Sequence, residues 1–211
     1  MDAGRPLEAD GGRAEMRICI GFDGSDKDDF TGIRAETIEG WQFTPTYGPD
    51  KRPTIWNPAE WGGRIPRSEV HAAMDEIFEE HDVERGYFDP PLWKTEIEEW
   101  ALKYGDERVI PWETYRVAPM HAALERFIVD LGSGALTHDG CPTTEAHIAN
   151  ARMFARTNQR YIILKPSQTQ KIDLAVTSVV THEAAADARA DGWTDRYVAG
   201  KGVSTAAYGF S

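Results

Sequence analysis

The chain has 211 residues, enough for one domain with a substantial core, and 41% of them are hydrophobic, which excludes a disordered or fibrous chain. Its formal net charge is −12, from 23 Lys and Arg against 35 Asp and Glu, which argues against holding nucleic acid by bulk electrostatics. No apolar run approaches the roughly 18 residues that span a bilayer, so no membrane partner is expected, and Cys19 and Cys141 lack the CxxC spacing of a zinc site.

Residues 1–15, MDAGRPLEADGGRAE, are polar and Gly-rich and read as a flexible tail or linker, without the apolar segment of a signal peptide. MRICIGFD (16–23) alternates large apolar residues with smaller ones and predicts a strand ended by Gly24. FTGIRAETIEG and WQFTPTYG, within 30–48, predict two more strands of a meander with Gly40 at the turn. Residues 49–66 are Pro-rich and predict an irregular excursion. Ser68 is placed to cap a helix to about His81, with Val70, Ala73, Met74, Ile77 and Phe78 as its buried stripe. ERGYFDPP (84–91) predicts a strand stopped by two prolines, 93–104 a helix stopped by Gly105, and RVIPW (108–112) a short strand.

Thr114 is placed to start a long helix to about Leu131, with Val117, Met120, Leu124, Phe127, Ile128 and Leu131 facing in. Thr143 is placed to cap a helix to about Arg156, YIILKP (161–166) predicts a strand, and residues 171–190 the last strong helix. Residues 191–211 read as a flexible C-terminal tail. The order predicts an α/β domain over 16–190. Its mixed sheet has five strands or more, an antiparallel meander plus parallel strands, flanked by helices.

Three carboxylates stand at special places in this layout. Asp23 ends the first strand, Asp89 ends the strand before two prolines, and Asp173 interrupts the apolar start of the last helix, KIDLAVTSVV. Each has an ordinary reading: Asp23 and Asp89 as turn formers, Asp173 as a charge near a helix N-terminus. Together they predict more. If the first and fourth strands are parallel neighbours, both strand-end carboxylates emerge at the sheet edge where ligands gather. A helix crossing that sheet can add Asp173. Clustered carboxylates repel unless cations lie between them, and hard oxygen ligands select Mg²⁺ or Mn²⁺. A pair of such ions can activate water against a phosphodiester. From Ala146 to Ile172 there is no Asp or Glu, while Arg152, Arg156, Arg160, Lys165 and Lys171 occur. That stretch reads either as a solvated face or as a local phosphate-binding strip.

Three segments carry a family resemblance. CIGFDGSDKDDFTGI, GYFDPP, and the region from THDGCPTTEAHIANARMF through the Lys-Pro strand end to KIDLAVTSVV resemble the ribonuclease H-like nuclease domain of the large terminase subunit of tailed bacteriophages. The resemblance covers about residues 16–190. It implies that Asp23, Asp89 and Asp173 form the catalytic, metal-binding triad, with Asp28 and Asp29 as further candidates for the metal. It implies Mg²⁺ or Mn²⁺ as cofactor, two ions during catalysis. Lys171, Lys165, Arg160, Arg156, Arg152 and His138 become candidate DNA contacts. The implied function is metal-dependent cleavage of concatemeric double-stranded viral DNA during packaging, in the host cytoplasm. The implied partners are a packaging ATPase motor, a small terminase subunit and a capsid portal.

The family's ATPase motor is not expected in this chain, which has no G-x-x-x-x-G-K-[ST] loop. An excised domain or a separately encoded nuclease is expected instead. Two other readings stand beside this one. One is a resolvase-like or repair nuclease of the same superfamily. The other is a non-catalytic module whose carboxylates bind a structural cation or a basic partner.

Overall fold

The structure, a computed structural model, describes residues 16–193. The expected tails therefore lie outside the described residues, apart from Asp191, Gly192 and Trp193. Trp193 is buried among Cys19, Tyr87 and Val180, so the packed domain runs past the expected boundary at Ala190.

In chain order the strands and helices begin with β1 (Met16–Asp23), β2 (Thr31–Thr37), β3 (Trp41–Phe43) and β4 (Thr46–Tyr47). The Pro-rich excursion is more ordered than its sequence predicts. It holds β5 (Arg52–Pro53), β6 (Ile55–Trp56) and a 3-10 turn at Pro58–Trp61 capped by the Asn57 side chain. Next come α1 (Arg67–Glu80), β7 (His81–Phe88), α2 (Lys94–Tyr104), β8 (Val109–Pro111) and α3 (Val117–Ser133). The chain continues with β9 (Thr137–His138), α4 (Pro142–Asn150), β10 (Arg152–Ala155), β11 (Tyr161–Leu164) and α5 (Asp173–Ala190).

A seven-stranded mixed sheet forms in the order β8-β7-β1-β2-β3-β9, with β6 also on β2. The β1–β2–β3 meander is antiparallel, whereas β7 joins β1, and β8 joins β7, in parallel. Successive residues of a strand point to opposite faces. On β1, Ile18, Ile20 and Phe22 enter one core with α1 and α2, where Phe22 meets Trp93 and Trp100 edge-on at 5.1 and 5.4 Å. The alternate residues Cys19, Gly21 and Asp23 therefore face α5, and Cys19 packs with Val180 and Ala184 of that helix.

α5 lies unusually close to the sheet. A Cβ built on Gly21 stands 2.4 Å from Thr181 Oγ1, 2.7 Å from Thr181 N and 2.9 Å from the Thr177 carbonyl oxygen. Two of those atoms are helix backbone, which has nowhere to go. Gly21→Ala is expected to cost about 1–3 kcal/mol by overpacking, read as a lower urea midpoint at unchanged slope.

This close face carries polar groups that the strand and helix patterns conceal. Glu36 is fully buried on β2 and accepts from Gln42 Nε2 at 3.0 Å and Arg189 Nη2 at 3.0 Å. His182 places Nδ1 3.0 Å from Glu36 and Nε2 2.9 Å from Asp130. Burial opposes the His182 charge, but its hydrogen bonds to Glu36 and Asp130 prevail over that burial and over nearby Arg189, lifting its pKa above the ordinary 6.5. A raised histidine pKa contributes stability in full below the unfolded value, and that stability is lost as pH rises through the folded value. The melting temperature is expected to fall as pH rises from 6.5, and His182→Gln to flatten that slope in melts across pH.

Several helix boundaries depart from the sequence reading. α1 starts at Arg67 with Pro66 before it and no side-chain cap, so Ser68 lies inside the helix. α3 starts at Val117 rather than Thr114, and Ile128 and Leu131 of its expected inner face are exposed. Cys141, not Thr143, precedes α4, which ends at Asn150 rather than near Arg156. There the Asn150 amide donates to the Lys171 carbonyl at 3.0 Å, and Arg152–Ala155 leaves the helix to pair antiparallel with β11. The basic stretch is thus a β-hairpin. Among the described residues no helix is long and apolar enough to cross a membrane.

Candidate active site

The two strand-end aspartates meet because β1 and β7 are parallel neighbours. The Asp89 N–H donates to the Phe22 carbonyl at 3.0 Å, which sets Asp89 beside the end of β1. Phe88 belongs to the aromatic core and Tyr87 to the α5 side, so alternation puts Asp89 on the α5 side, as it does Asp23. Asp89 is buried, and Thr114 fixes it from the loop after β8. The Thr114 N–H donates to Oδ1 at 3.0 Å and its hydroxyl to Oδ2 at 2.9 Å. Thr114 holds Asp89 in place of the expected helix cap.

Asp173 begins α5, where the first N–H groups have no partners within the helix. His147 of α4 supplies one, its Nδ1 accepting from Leu174 N–H at 3.1 Å. An accepting Nδ1 requires the neutral ring. Burial, then the charge on Lys171, lowers the His147 pKa to about 4. Ile172, which precedes the helix, makes no side-chain cap, and the Asp173 carboxylate draws on its own N–H as well as on the β1–β2 loop. Its Oδ2 accepts from Phe30 N–H at 3.3 Å.

The charges of the three carboxylates converge at this end of the sheet. Burial first, then Asp89, Asp173 and Asp29, push the Asp23 pKa well above the usual carboxylate range, with the Gly24 N–H as counterweight. Burial and Asp29 raise Asp173 to about 6. Burial also raises Asp89 against the pull of Thr114. Among the described residues, no three His, Cys, Asp or Glu side chains stand in ready-made ligand geometry. The donor set itself, enclosed carboxylate oxygens, suits a hard divalent ion such as Mg²⁺ or Mn²⁺.

The other sequence candidates fall into different places. Asp29 is held by two lysines: Lys165 Nζ lies 2.7 and 2.8 Å from its oxygens and Lys171 Nζ 2.7 Å. Those bonds occupy the carboxylate that the sequence offered to a metal. Asp28 is exposed and gives Lys171 its backbone carbonyl at 2.6 Å. Arg152 and Arg156 are exposed on the β10–β11 hairpin, where their guanidinium groups donate to nearby backbone carbonyls. Arg160 lies in the turn before β11 and is half-buried. His138 sits on β9, three strands from β1 in the sheet, or about 14 Å at the usual strand spacing. Its Nδ1 accepts from Gly140 N–H at 3.1 Å, away from the carboxylates. Sequence reasoning missed His147, whose role depends on a helix-to-helix contact that carries no local signal.

No protein-family model matches the chain. Among curated proteins it is similar to the Gene 13 proteins of Mycobacterium phages D29 and L5. Identity is 28% in both cases, over 184 and 183 residues, 82% and 81% of this chain. It spans about 30% of the length of those relatives. Among solved structures it is similar to the large terminase nuclease of thermophilic phage G20c, with TM-score 0.59 and 13% identity over 81% of this chain and 83% of that one. It is also similar to the HK97 bacteriophage large terminase, with TM-score 0.62 and 16% identity over 81% of this chain and 40% of that one. The G20c nuclease has been solved with bound magnesium and with bound cobalt. The chain therefore has the ribonuclease H-like fold of phage large terminase nuclease domains.

Proposed function

We propose that this chain is the DNA-cutting domain of a phage large terminase, a divalent-metal-dependent endonuclease for concatemeric double-stranded viral DNA. The observation that carries the reading is that Asp23 and Asp89 emerge side by side at the end of the parallel β1–β7 pair, with Asp173 opening α5, the helix that covers that face. The fold, shared with a nuclease solved with magnesium and cobalt, supports it.

In this reading Asp23, Asp89 and Asp173 hold Mg²⁺ or Mn²⁺, two ions when substrate is bound. The bound metal supplies a water nucleophile of lowered pKa and charge stabilisation for the leaving oxygen. Thr114 keeps the Asp89 carboxylate turned toward the site, and His147 keeps the start of α5 in place. Arg152, Arg156 and Arg160, on a hairpin whose far strand leads to Lys165, contact the DNA backbone. The acidic remainder weakens DNA binding by the domain alone, so delivery falls to a packaging motor, a small terminase subunit and a capsid portal in the host cytoplasm.

The test is incubation of supercoiled plasmid with the purified chain at low salt in Mn²⁺, Mg²⁺ or EDTA. Nicking or linearisation with either metal and none in EDTA is the expected result. Nicking that persists in EDTA would remove the metal from the mechanism.

A further inference from the structure

The loop between β1 and β2 sends one carboxylate into a pair of ammonium groups. Asp29 takes three short contacts from Lys165 and Lys171, all between 2.7 and 2.8 Å. Lys165 follows β11, and Lys171 precedes α5, so the pair closes the segment that connects the basic hairpin to Asp173. The side chains of Asp29, Lys165 and Lys171 are 32%, 25% and 20% exposed, so the cluster is open enough for exchange with solvent and solutes. The next residue along the loop, Phe30, gives its N–H to Asp173. Asp29 is also near enough for its charge to act on both Asp23 and Asp173.

Two lysines bracketing one anion beside a carboxylate cluster present an arrangement that a phosphodiester can enter. A phosphate oxygen pair and a carboxylate oxygen pair make the same kind of charge-assisted contact with ammonium groups. Asp29 is an unfavourable neighbour for the metal-binding carboxylates, and the lysines compensate its charge. We infer that Lys165 and Lys171 form a phosphate seat for the DNA strand and that Asp29 occupies it in the absence of DNA, as an internal competitor. The inference rests on the nuclease reading and extends it: DNA binding requires Asp29 to yield the lysines. The exposed Asp28, one residue earlier, meets Lys171 through its backbone carbonyl, so Asp28→Asn removes the same unit of charge from the same loop without freeing the seat.

The test is fluorescence anisotropy of a short labelled duplex with the full chain in saturating Ca²⁺, over a series of salt concentrations. Asp29→Asn, Asp28→Asn and Asp29→Asn combined with Lys165→Gln and Lys171→Gln are compared with the unaltered chain. Asp29→Asn is expected to bind several-fold more tightly and to steepen the salt dependence by about one to two phosphate contacts. Asp28→Asn is expected to stay within about twofold, as for a surface charge, and the triple variant to lose the gain. Equal gains from Asp28→Asn and Asp29→Asn would reduce the effect to net charge and overturn the inference. So would unchanged or weaker binding by Asp29→Asn at a melting temperature close to that of the unaltered chain. If Asp29→Asn does not fold, Lys165→Arg with Lys171→Arg keeps both charges and the carboxylate partner. Retained duplex affinity in that pair, against loss in Lys165→Gln with Lys171→Gln, is then required. Metal-dependent plasmid cleavage alongside a failed Asp29→Asn gain would sink this inference alone, whereas no duplex binding and no cleavage by any form would sink the nuclease reading with it.

Discussion

Asp23→Asn is expected to reduce metal-dependent plasmid nicking by more than about 100-fold, because even groups supporting a metal ligand cost 10–100-fold when removed. The same change is expected to leave the fold intact and the melting temperature equal or higher. Asp23 is enclosed among Asp89, Asp173 and Asp29, and burial and those charges disfavour its ionised form. An amide of the same shape removes the repulsion and still accepts the Gly24 N–H. Stabilisation combined with inactivation marks a residue retained for chemistry rather than for folding. Metal should separate the two forms a second way. At about 100 times its dissociation constant a bound ion raises stability by about 2.7 kcal/mol, so Mn²⁺ should lift the melting temperature of the unaltered chain and have little effect on Asp23→Asn. Nicking by Asp23→Asn at the rate of the unaltered chain would remove Asp23 from the metal site.

Arg34→Ala is expected to destabilise the domain by about 1–3 kcal/mol, the range for leaving groups around a buried polar side chain without their partner. Arg34 lies within β2, on the face turned to α5, with a side chain 1% exposed. Its Nη1 donates to Thr44 Oγ1 at 2.6 Å and to both Asp139 oxygens at 3.1 and 3.2 Å. Asp139 also accepts from Thr44 N–H at 2.7 Å and Cys141 N–H at 3.2 Å, so the pair seats the entry to α4 on the sheet. Burial alone would raise the Asp139 pKa, but the Arg34 charge and these hydrogen bonds outweigh it and hold the carboxylate below its usual value. Alanine leaves that carboxylate facing an empty site. For a domain of this size the loss corresponds to a fall in melting temperature of several degrees, about 2–4 °C per kcal/mol. Arg34→Met with Asp139→Asn should recover part of it, since methionine refills the buried site and no charge is left facing it. A melting temperature unchanged by Arg34→Ala would show that the pair does not anchor α4.

The alternation of Ile18, Ile20 and Phe22 made β1 legible and, with it, the face on which Asp23 emerges. The apolar run around Asp173 made α5 legible, although the carboxylate itself also had an ordinary reading as a charge near a helix N-terminus. The mixed sheet followed from element order, whereas the parallel pairing of β1 with β7 stood only as a condition until the register supplied it. What the sequence concealed was long-range. Thr114 resembles a helix cap in sequence, yet its partner Asp89 lies 25 residues away. His147 supports α5 from another helix across 27 residues. Arg152 and Met153 continue a helical pattern, and only pairing with Ile163 and Leu164 turns them into a strand. Arg34 and Glu36 carry no local signal that marks them as buried. They are buried because α5 covers both, with Asp139, His182 and Arg189 as partners. Asp29 and its lysines, more than 130 residues apart in sequence, had no spacing to reveal them.

Whether Asp23, Asp89 and Asp173 share a divalent ion is decided by an anomalous difference map from crystals grown with Mn²⁺. The expected peak lies about 2.1 Å from carboxylate oxygens of these residues, with Asp29 still on Lys165 and Lys171 in the absence of DNA. A peak bound by other side chains, or none at the three aspartates under saturating Mn²⁺, would contradict it.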